Sequence, residues 1–457
     1  MSEIAKELRY DNILKVRDDH LPTAFGESEP GKFRFREKTE ISWFSGEEFG
    51  LKELRGRIEP WLTSLFQSEH LSLLAGSGLT HAVHNLATEK PAAGMGTVTF
   101  SCHAAEINKA AEKTAKDAGR SKGNFEDQLR SATELLRGLE ILENADATTL
   151  RMDLKVILAQ FSASILACES HIASADEAKR ELAFNTLVTF LMSFASRTGT
   201  RDRLSIFTTN YDRLVEAGAE LAGLHLLDRF VGSLMPIFRS SRLDLDMHYN
   251  PPGIRGEPRY LEGVARFTKL HGSVDWVHAG ADIRRIGLPF GAGKIDAYLD
   301  IPGVKGVDAD RLLIYPNSAK DRETSDYPYV ELFRDLAAAI CRPNSTLVTY
   351  GYSFGDEHIN RVIRDMLTIP STHLVVASYD DPLDRIMKSY REFGRPSQIS
   401  LLIGPALSNI RTLTENFLPK AAIDKTTFRM SELLKQRFGT SMFDKKAAEP
   451  TIDGPAT

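Results

Sequence analysis

Cysteine is scarce: Cys102, Cys168 and Cys341 are the only three in 457 residues, and they stand far apart. An odd, scattered set offers neither a disulfide framework nor a paired thiolate metal motif, and it fits a reducing compartment. An excess of one charge is lacking too. Lysine and arginine number 57 against 62 acidic residues, a formal net charge of -5. That balance excludes a protein whose main work is coating nucleic acid or an anionic membrane. The 32 glycines and 20 prolines are too few for a collagenous or low-complexity chain. No run of about 18 apolar residues occurs; the richest, over 182–195, is broken by Asn185 and Thr186. Residues 1–9 hold Glu3, Lys6, Glu7 and Arg9 with no apolar stretch, so no signal peptide is visible. These absences predict a soluble, cytoplasmic protein with no membrane and no direct nucleic-acid partner.

What is present is an ordinary globular composition, 42% hydrophobic and 26% charged. At about 150 residues per domain the length allows two to three domains. Residues 1–50 mix charge, glycine and proline, and Phe33, Phe35, Trp43 and Phe44 mark an arm docked on some surface. Leu51, Leu54, Ile58, Leu62 and Leu65 predict a helix over 47–66. From about 104 to 196 the pattern is helical without a strand, with breaks at 119–124, 143–147 and 174–176: a bundle inserted into, or packed beside, something else. Short apolar runs predict strands beginning at Leu71 and over 203–209, 266–270, 311–315, 345–350, 373–378 and 399–403. Several are separated by helical stretches. The fold class is therefore α/β, a doubly wound, mostly parallel, Rossmann-like sheet with an inserted helical bundle. A helix over 426–438 and a disordered tail over 445–457 close the chain.

Four strand ends hold the residues with chemistry. Gly76-Ser77-Gly78-Leu79-Thr80 stands where the first strand passes into a helix, and glycines there let backbone approach a pyrophosphate at a helix N-terminus. A third fingerprint glycine is absent, because that place is His81, and a plain tight turn is the other reading. Thr208-Thr209-Asn210-Tyr211-Asp212 follows the next strand. The carboxyl end of a buried strand is where open sheets place ligand contacts, although Asn210 or Asp212 could simply cap the next helix. His271-Gly272 closes a further strand, and a histidine beside a flexible glycine suits a general base. Gly351-Tyr352-Ser353-Phe354-Gly355-Asp356 follows the strand over 345–350, with Ser353 facing a nucleotide or capping a helix. Gly291-Ala292-Gly293-Lys294 is a decoy: Ile295 supplies no hydroxyl for magnesium, and Leu288 stands where a triphosphate loop needs glycine.

Taken in order, these four strand ends resemble the sirtuin superfamily. Gly76-Ser77-Gly78-Leu79-Thr80 is similar to its Gly-Ala-Gly-x-Ser loop and Thr208-Thr209-Asn210-Tyr211-Asp212 to its Thr-Gln-Asn-Ile-Asp. His271-Gly272 is similar to its His-Gly, and Gly351-Tyr352-Ser353 to its Gly-Thr-Ser. The resemblance runs from about Leu71 to Ser378 and divides the chain into an arm and helix (1–66), a sirtuin-like NAD-binding domain in two parts (67–103 and 199–405), the helical insert (104–198) and a C-terminal segment (406–457). Two departures stand out. Between Gly272 and Ile340 there is no cysteine, so the zinc module of sirtuin deacylases cannot be built and no metal is expected. His81-Ala82-Val83-His84 replaces the arginine- and phenylalanine-bearing loop. That combination is similar to the sirtuin-like domains of bacterial antiphage defence proteins, which hydrolyse NAD.

The resemblance implies an NAD glycohydrolase that releases nicotinamide and ADP-ribose, with NAD as substrate and no zinc, acting in abortive infection. It implies that Gly76, Ser77 and Gly78 cradle the pyrophosphate, with Thr80 and Thr209 beside the dinucleotide. Asn210 orients water or the ribose, Asp212 holds the carboxamide, and His271 accepts a proton. Gly351 and Ser353 lie toward the adenosine. A protein deacylase and a non-catalytic NAD- or ADP-ribose-sensing module are the alternatives. The layout further resembles that of stand-alone partners of HerA-type hexameric ATPases. A homo-oligomer with contacts through the aromatic arm or the insert is expected, the other outcome being an arm that covers its own sheet.

Overall fold

The structure, a computed structural model, describes the chain apart from residues 1–9, 37–40, 42, 93–95, 118–121, 197–201, 241–245, 250–258, 280–281, 295–327, 382 and 421–457. Met1–Leu418 form one compact unit and Pro419–Thr457 a second; the fold below belongs to the first. The strand expected over 311–315, the helix over 426–438 and the tail over 445–457 lie outside the described residues.

Short runs of leucine, valine and isoleucine bounded by polar turns make the central strands. In chain order these are β5 (His70–Ala75), β6 (Ser205–Thr208), β7 (His225–Leu227), β8 (Val264–Lys269), β9 (Ser345–Tyr350), β10 (His373–Ser378) and β11 (Ile399–Ile403). Every neighbouring pair in this set is parallel. The arm supplies β1 (Asn12–Lys15), β2 (Thr23–Glu29), β3 (Lys32–Phe35) and β4 (Phe49–Gly50), which add antiparallel strands beyond β11. Among the described residues the sheet has eleven strands in the order β4-β3-β2-β1-β11-β10-β9-β5-β6-β8-β7.

Both faces of the parallel part are covered, as near-continuous apolar strands require. Leu71, Leu73, Ala75, Val348 and Tyr350 pack under α1 (Leu51–Phe66), α2 (Ser77–Thr88), α6 (Glu177–Ala195) and α7 (Leu214–Leu221). Leu74, Phe207, Leu347, Leu374 and Leu401 face α8 (Tyr329–Ile340), α9 (Glu357–Leu367) and α10 (Arg385–Phe393). The strand period of two sends alternate residues into two cores.

The predicted bundle resolves into α3 (Ala104–Asp117), α4 (Phe125–Ile141), α5 (Asp146–Ala173) and α6, with breaks where the sequence placed them. Asn124 opens α4 with a capping box, its Oδ1 accepting from Asp127 N and its own N–H donating to Asp127. The four helices do not form one layer. Phe190, Leu191 and Phe194 of α6 belong to the sheet core. Ile107, Phe125, Leu129, Leu150, Leu154 and Phe161 of α3 to α5 form a satellite core. By length and mean hydropathy α5 meets the criterion for crossing a membrane. Core helices share that property, and its Leu150, Leu154, Ile157, Phe161 and Leu166 are buried.

The arm docks in cis. Ile13 pairs with Ile403, and Phe25, Phe33, Phe35, Trp43, Phe44 and Phe49 pack on one another at the sheet's end. It is β1 that pairs with β11, while the aromatic residues pack among the arm's outer strands. Edge strands otherwise offer unpaired backbone groups to other chains.

Candidate functional site

Parallel register aligns the strand ends. Ala377, Tyr350, Ala75, Thr208 and Lys269 form one row across β10, β9, β5, β6 and β8. The Gly76, His271 and Gly351 motifs begin just beyond this row, and the Thr208 motif begins in it. Chain direction across the sheet reverses at β5: the chain next builds β6 on one side and later returns to build β9 on the other. Crevices at such a switch point are the usual ligand sites of open α/β sheets.

At this point two loops touch through backbone. A Cβ on Gly76 would lie 2.4 Å from Gly351 O, and one on Gly78 would lie 2.6 Å from Gly351 Cα. Gly351 itself has φ +61°. Only glycine fits a left-handed position packed this closely. The amides of Gly76 and Gly78 donate to Tyr350 O and Gly351 O, at 2.9 and 3.0 Å. The amides of those two glycines are therefore engaged in loop-to-loop packing. Ser77, at the first position of α2, is exposed at the loop surface.

Beyond β6 the polar residues form a chain of hydrogen bonds. Asn210 Nδ2 donates to Gly76 O at 3.0 Å and to Thr80 Oγ1 at 2.9 Å. Thr80 donates to Asp212 Oδ2 at 2.6 Å, and Asp212 Oδ1 accepts from Leu214 N at the start of α7. Asp212 thus bonds to the start of the helix, as its capping reading expects, while also joining the network. The Thr209 amide donates to Ala75 O. Asn210 and Asp212 are 8% and 9% exposed. The Asn210 amide oxygen accepts no hydrogen bond from the described residues. His81 lies in the field of Asp212 and Asp380, which raise its pKa, while stronger desolvation lowers it below the usual value.

His271 reaches the same row from β8. Gly272 takes φ +85°, the turn that ends the strand. Ser273 Oγ and Val274 N donate to Tyr211 O, binding this loop to the one beyond β6. His271 is 6% exposed, and its Nε2 lies 2.8 Å from Asp356 Oδ2. Asp356 is also the cap of α9. Ser353 is exposed and does not cap that helix, contrary to one of its two sequence readings.

Three further groups, to which sequence reasoning assigned no role, hold the site in place. Glu169 of α5 accepts from Arg213 N at 2.7 Å and pairs with its guanidinium, which also donates to Leu288 O and Pro289 O. Burial raises the Glu169 pKa, and the Arg213 charge opposes that shift. Lys269 Nζ donates to Asp212 O and Glu216 Oε1. Tyr211 turns into the satellite core, its ring 5.4 Å from that of Phe161. The Gly291 loop packs against Ala173 of α5, a supporting contact for the helix. Nothing in local sequence pattern announces these long-range pairs; only the composition of the Arg213 and Lys269 neighbourhoods could have hinted at them.

Cys102, Cys168 and Cys341 are free, and burial pushes the Cys168 thiol up to about 12. Among the described residues no group of histidine, cysteine and carboxylates is arranged to hold a metal. One apolar cavity lies between α1, α6 and the sheet, lined by Leu62, Phe66, Phe190 and Tyr350; Asn210, Asp212 and His271 are not among its lining residues.

With that geometry established, comparison with known families adds a class. Residues 204–393 match the family model of the SIR2-like domain, so this part of the chain is similar to sirtuin-like domains. The match begins at β6 and ends with α10; the Gly76 loop precedes it in sequence and joins it in space. No curated protein matches the chain.

Proposed function

We propose that the chain is an NAD glycohydrolase, cleaving NAD to nicotinamide and ADP-ribose. The observation that supports this most is the convergence of Asn210, Asp212 and His271 at adjoining strand ends beside the Gly76–Gly351 contact, within the part of the chain similar to sirtuin-like domains. Cleavage of the nicotinamide–ribose bond passes through an oxocarbenium-like state, which needs a held sugar, a placed water and a base. Asn210 Oδ1 would accept from the water or a ribose hydroxyl, since its Nδ2 is engaged with Gly76 and Thr80. Asp212 would accept from the carboxamide, a carboxylate having acceptor sites beyond the two in use. His271 would take the proton. Gly351, Ser353 and Thr209 would line the dinucleotide, with Ser77 at the α2 N-terminus meeting phosphate. Base catalysis contributes about 10²–10⁴-fold, the rest coming from positioning and charge stabilisation.

The resemblance to antiphage NADases supports the further reading that NAD depletion is the biological output and that control lies in a homo-oligomer with a HerA-type hexameric ATPase. With the arm folded in cis, the insert helices are the remaining surface named for such contacts. Light scattering of the chain alone and with a candidate ATPase tests this: a monomer that stays monomeric in the mixture contradicts it. The enzymatic reading is tested by assaying free nicotinamide with and without an acetylated peptide. Release in both arms supports hydrolysis. Release only with peptide indicates a deacylase, and binding without release a sensing module.

A further inference from the structure

His271 and Asp356 come from loops whose strands are not neighbours: β5 and β6 lie between β8 and β9. Yet His271 Nε2 and Asp356 Oδ2 are 2.8 Å apart, and the two residues are 6% and 5% exposed. The loop after β9 is shaped to deliver that carboxylate. Phe354 takes φ +53°, Tyr352 Oη lies 3.1 Å from Asp356 O and 3.0 Å from Asn360 Oδ1, and Asn360 Nδ2 donates to Phe354 O at 2.9 Å.

Capping alone does not explain this placement. Asp356 Oδ1 accepts from His358 N at 3.3 Å, a cap interaction of about 1 kcal/mol. Taking a carboxylate out of water costs several kcal/mol unless a partner offsets it. An exposed aspartate would cap α9 equally well. The buried oxygen that faces His271 is the part left to explain.

We propose that Asp356 is a positioning residue for His271. A carboxylate 2.8 Å from Nε2 stabilises the imidazolium once a proton arrives, and its charge favours a proton on the nitrogen that faces it. The inference rests on the NAD-cleavage reading for its chemical step. In that step the C–N bond breaks with its electron pair going to the nicotinamide nitrogen, and water oxygen bonds to the anomeric carbon. The water proton goes to His271 and then to solvent. The titratable and charged groups near the pair include Tyr211, its ring centroid 6.2 Å from that of His271, and Tyr352, which donates to Asp356 O and lies in the field of Asp356, Glu357 and Arg385.

Asp356→Asn separates the two roles, because asparagine caps a helix as well as aspartate and fills the same volume. The expected result is an intact fold, KM little changed, and kcat lowered by roughly 10²-fold. The acidic limb of the kcat/KM–pH profile is expected to move down by about one pH unit or more. A residue that only caps would leave kcat and the limb where they are, and that outcome overturns the proposal. Histidine ¹⁵N shifts in the unaltered chain give a test that needs neither turnover nor the variant. His271 protonated on Nε2 is expected, and protonation on Nδ1 overturns the dyad. Absence of NAD cleavage with the expected tautomer would remove the functional reading alone. Wild-type turnover with an insensitive Asp356→Asn would remove the dyad alone.

Discussion

Asn210 holds the carbonyl of Gly76 from across the seam between β5 and β6, Nδ2 to oxygen, at 3.0 Å. One side chain therefore fixes the glycine loop relative to the strand end that bears Asp212. Replacing it by alanine removes this bond and the one to Thr80, leaving a buried acceptor without its donor. Asn210→Ala is expected to lose about 1–3 kcal/mol of stability and to lower nicotinamide release by at least 10²-fold. Urea denaturation and single-turnover assays on the same preparation check both. Full turnover in the variant contradicts the assignment.

Gly351 and Gly138 make a matched pair of probes. A Cβ at Gly351 would sit 2.5 Å from Gly78 Cα in a left-handed conformation, whereas a Cβ at Gly138, inside α4, meets nothing within 4 Å. Gly351→Ala is expected to cost roughly 2–5 kcal/mol from backbone strain and overpacking. Gly138→Ala is expected to stabilise by about 0.5–1 kcal/mol. Similar effects at both positions in urea denaturation would contradict the close approach of the two loops.

The Glu169–Arg213 pair joins α5 to the loop bearing Asn210 and Asp212. Glu169→Ala leaves a buried guanidinium without its carboxylate and is expected to destabilise by about 3–5 kcal/mol. The double change of Glu169 and Arg213 to methionine is expected to recover part of that loss, because it leaves no buried charge behind. A double-mutant cycle in denaturant measures the coupling, and additive losses would mean that the pair does not act as a unit.

His373 sets an acid limit on stability. Burial, with Lys15 adding to it, lowers its pKa from 6.5 to about 4; its Nε2 lies 2.8 Å from Ser400 Oγ and its ring meets Trp61 edge-on. Between these values the unfolded chain binds a proton that the folded chain refuses, so stability falls as pH drops from about 6.5 toward 4. The full fall is on the order of 3 kcal/mol. Chemical denaturation across that window should show it, and His373→Phe should flatten it; an unchanged slope would remove His373 as the cause.

Much of this was legible because buried strands advertise themselves. The runs over 345–350, 373–378 and 399–403 form the strands expected, and those over 203–209 and 266–270 differ by one or two residues at their ends. The arm strands escaped detection because they are short and alternate with charge, and their place in the sheet depends on pairing with β11 nearly 400 residues away. β7, with three residues, is too short to give a period. Asp356 stands before a helix, so its cap signature concealed a contact that exists only once β8 and β9 share a sheet. Gly76 and Gly78 stand out in the sequence, but their close approach to Gly351 depends on the fold.

The most direct test of the account is proton NMR of NAD incubated with the purified chain, without peptide, beside Asn210→Ala and His271→Ala chains whose folding has been verified. The account predicts free nicotinamide and ADP-ribose in equal amounts from the unaltered chain, and loss of both by orders of magnitude in each variant. NAD left intact by the unaltered chain in its assembled state, or cleaved at the same rate by His271→Ala, would contradict it.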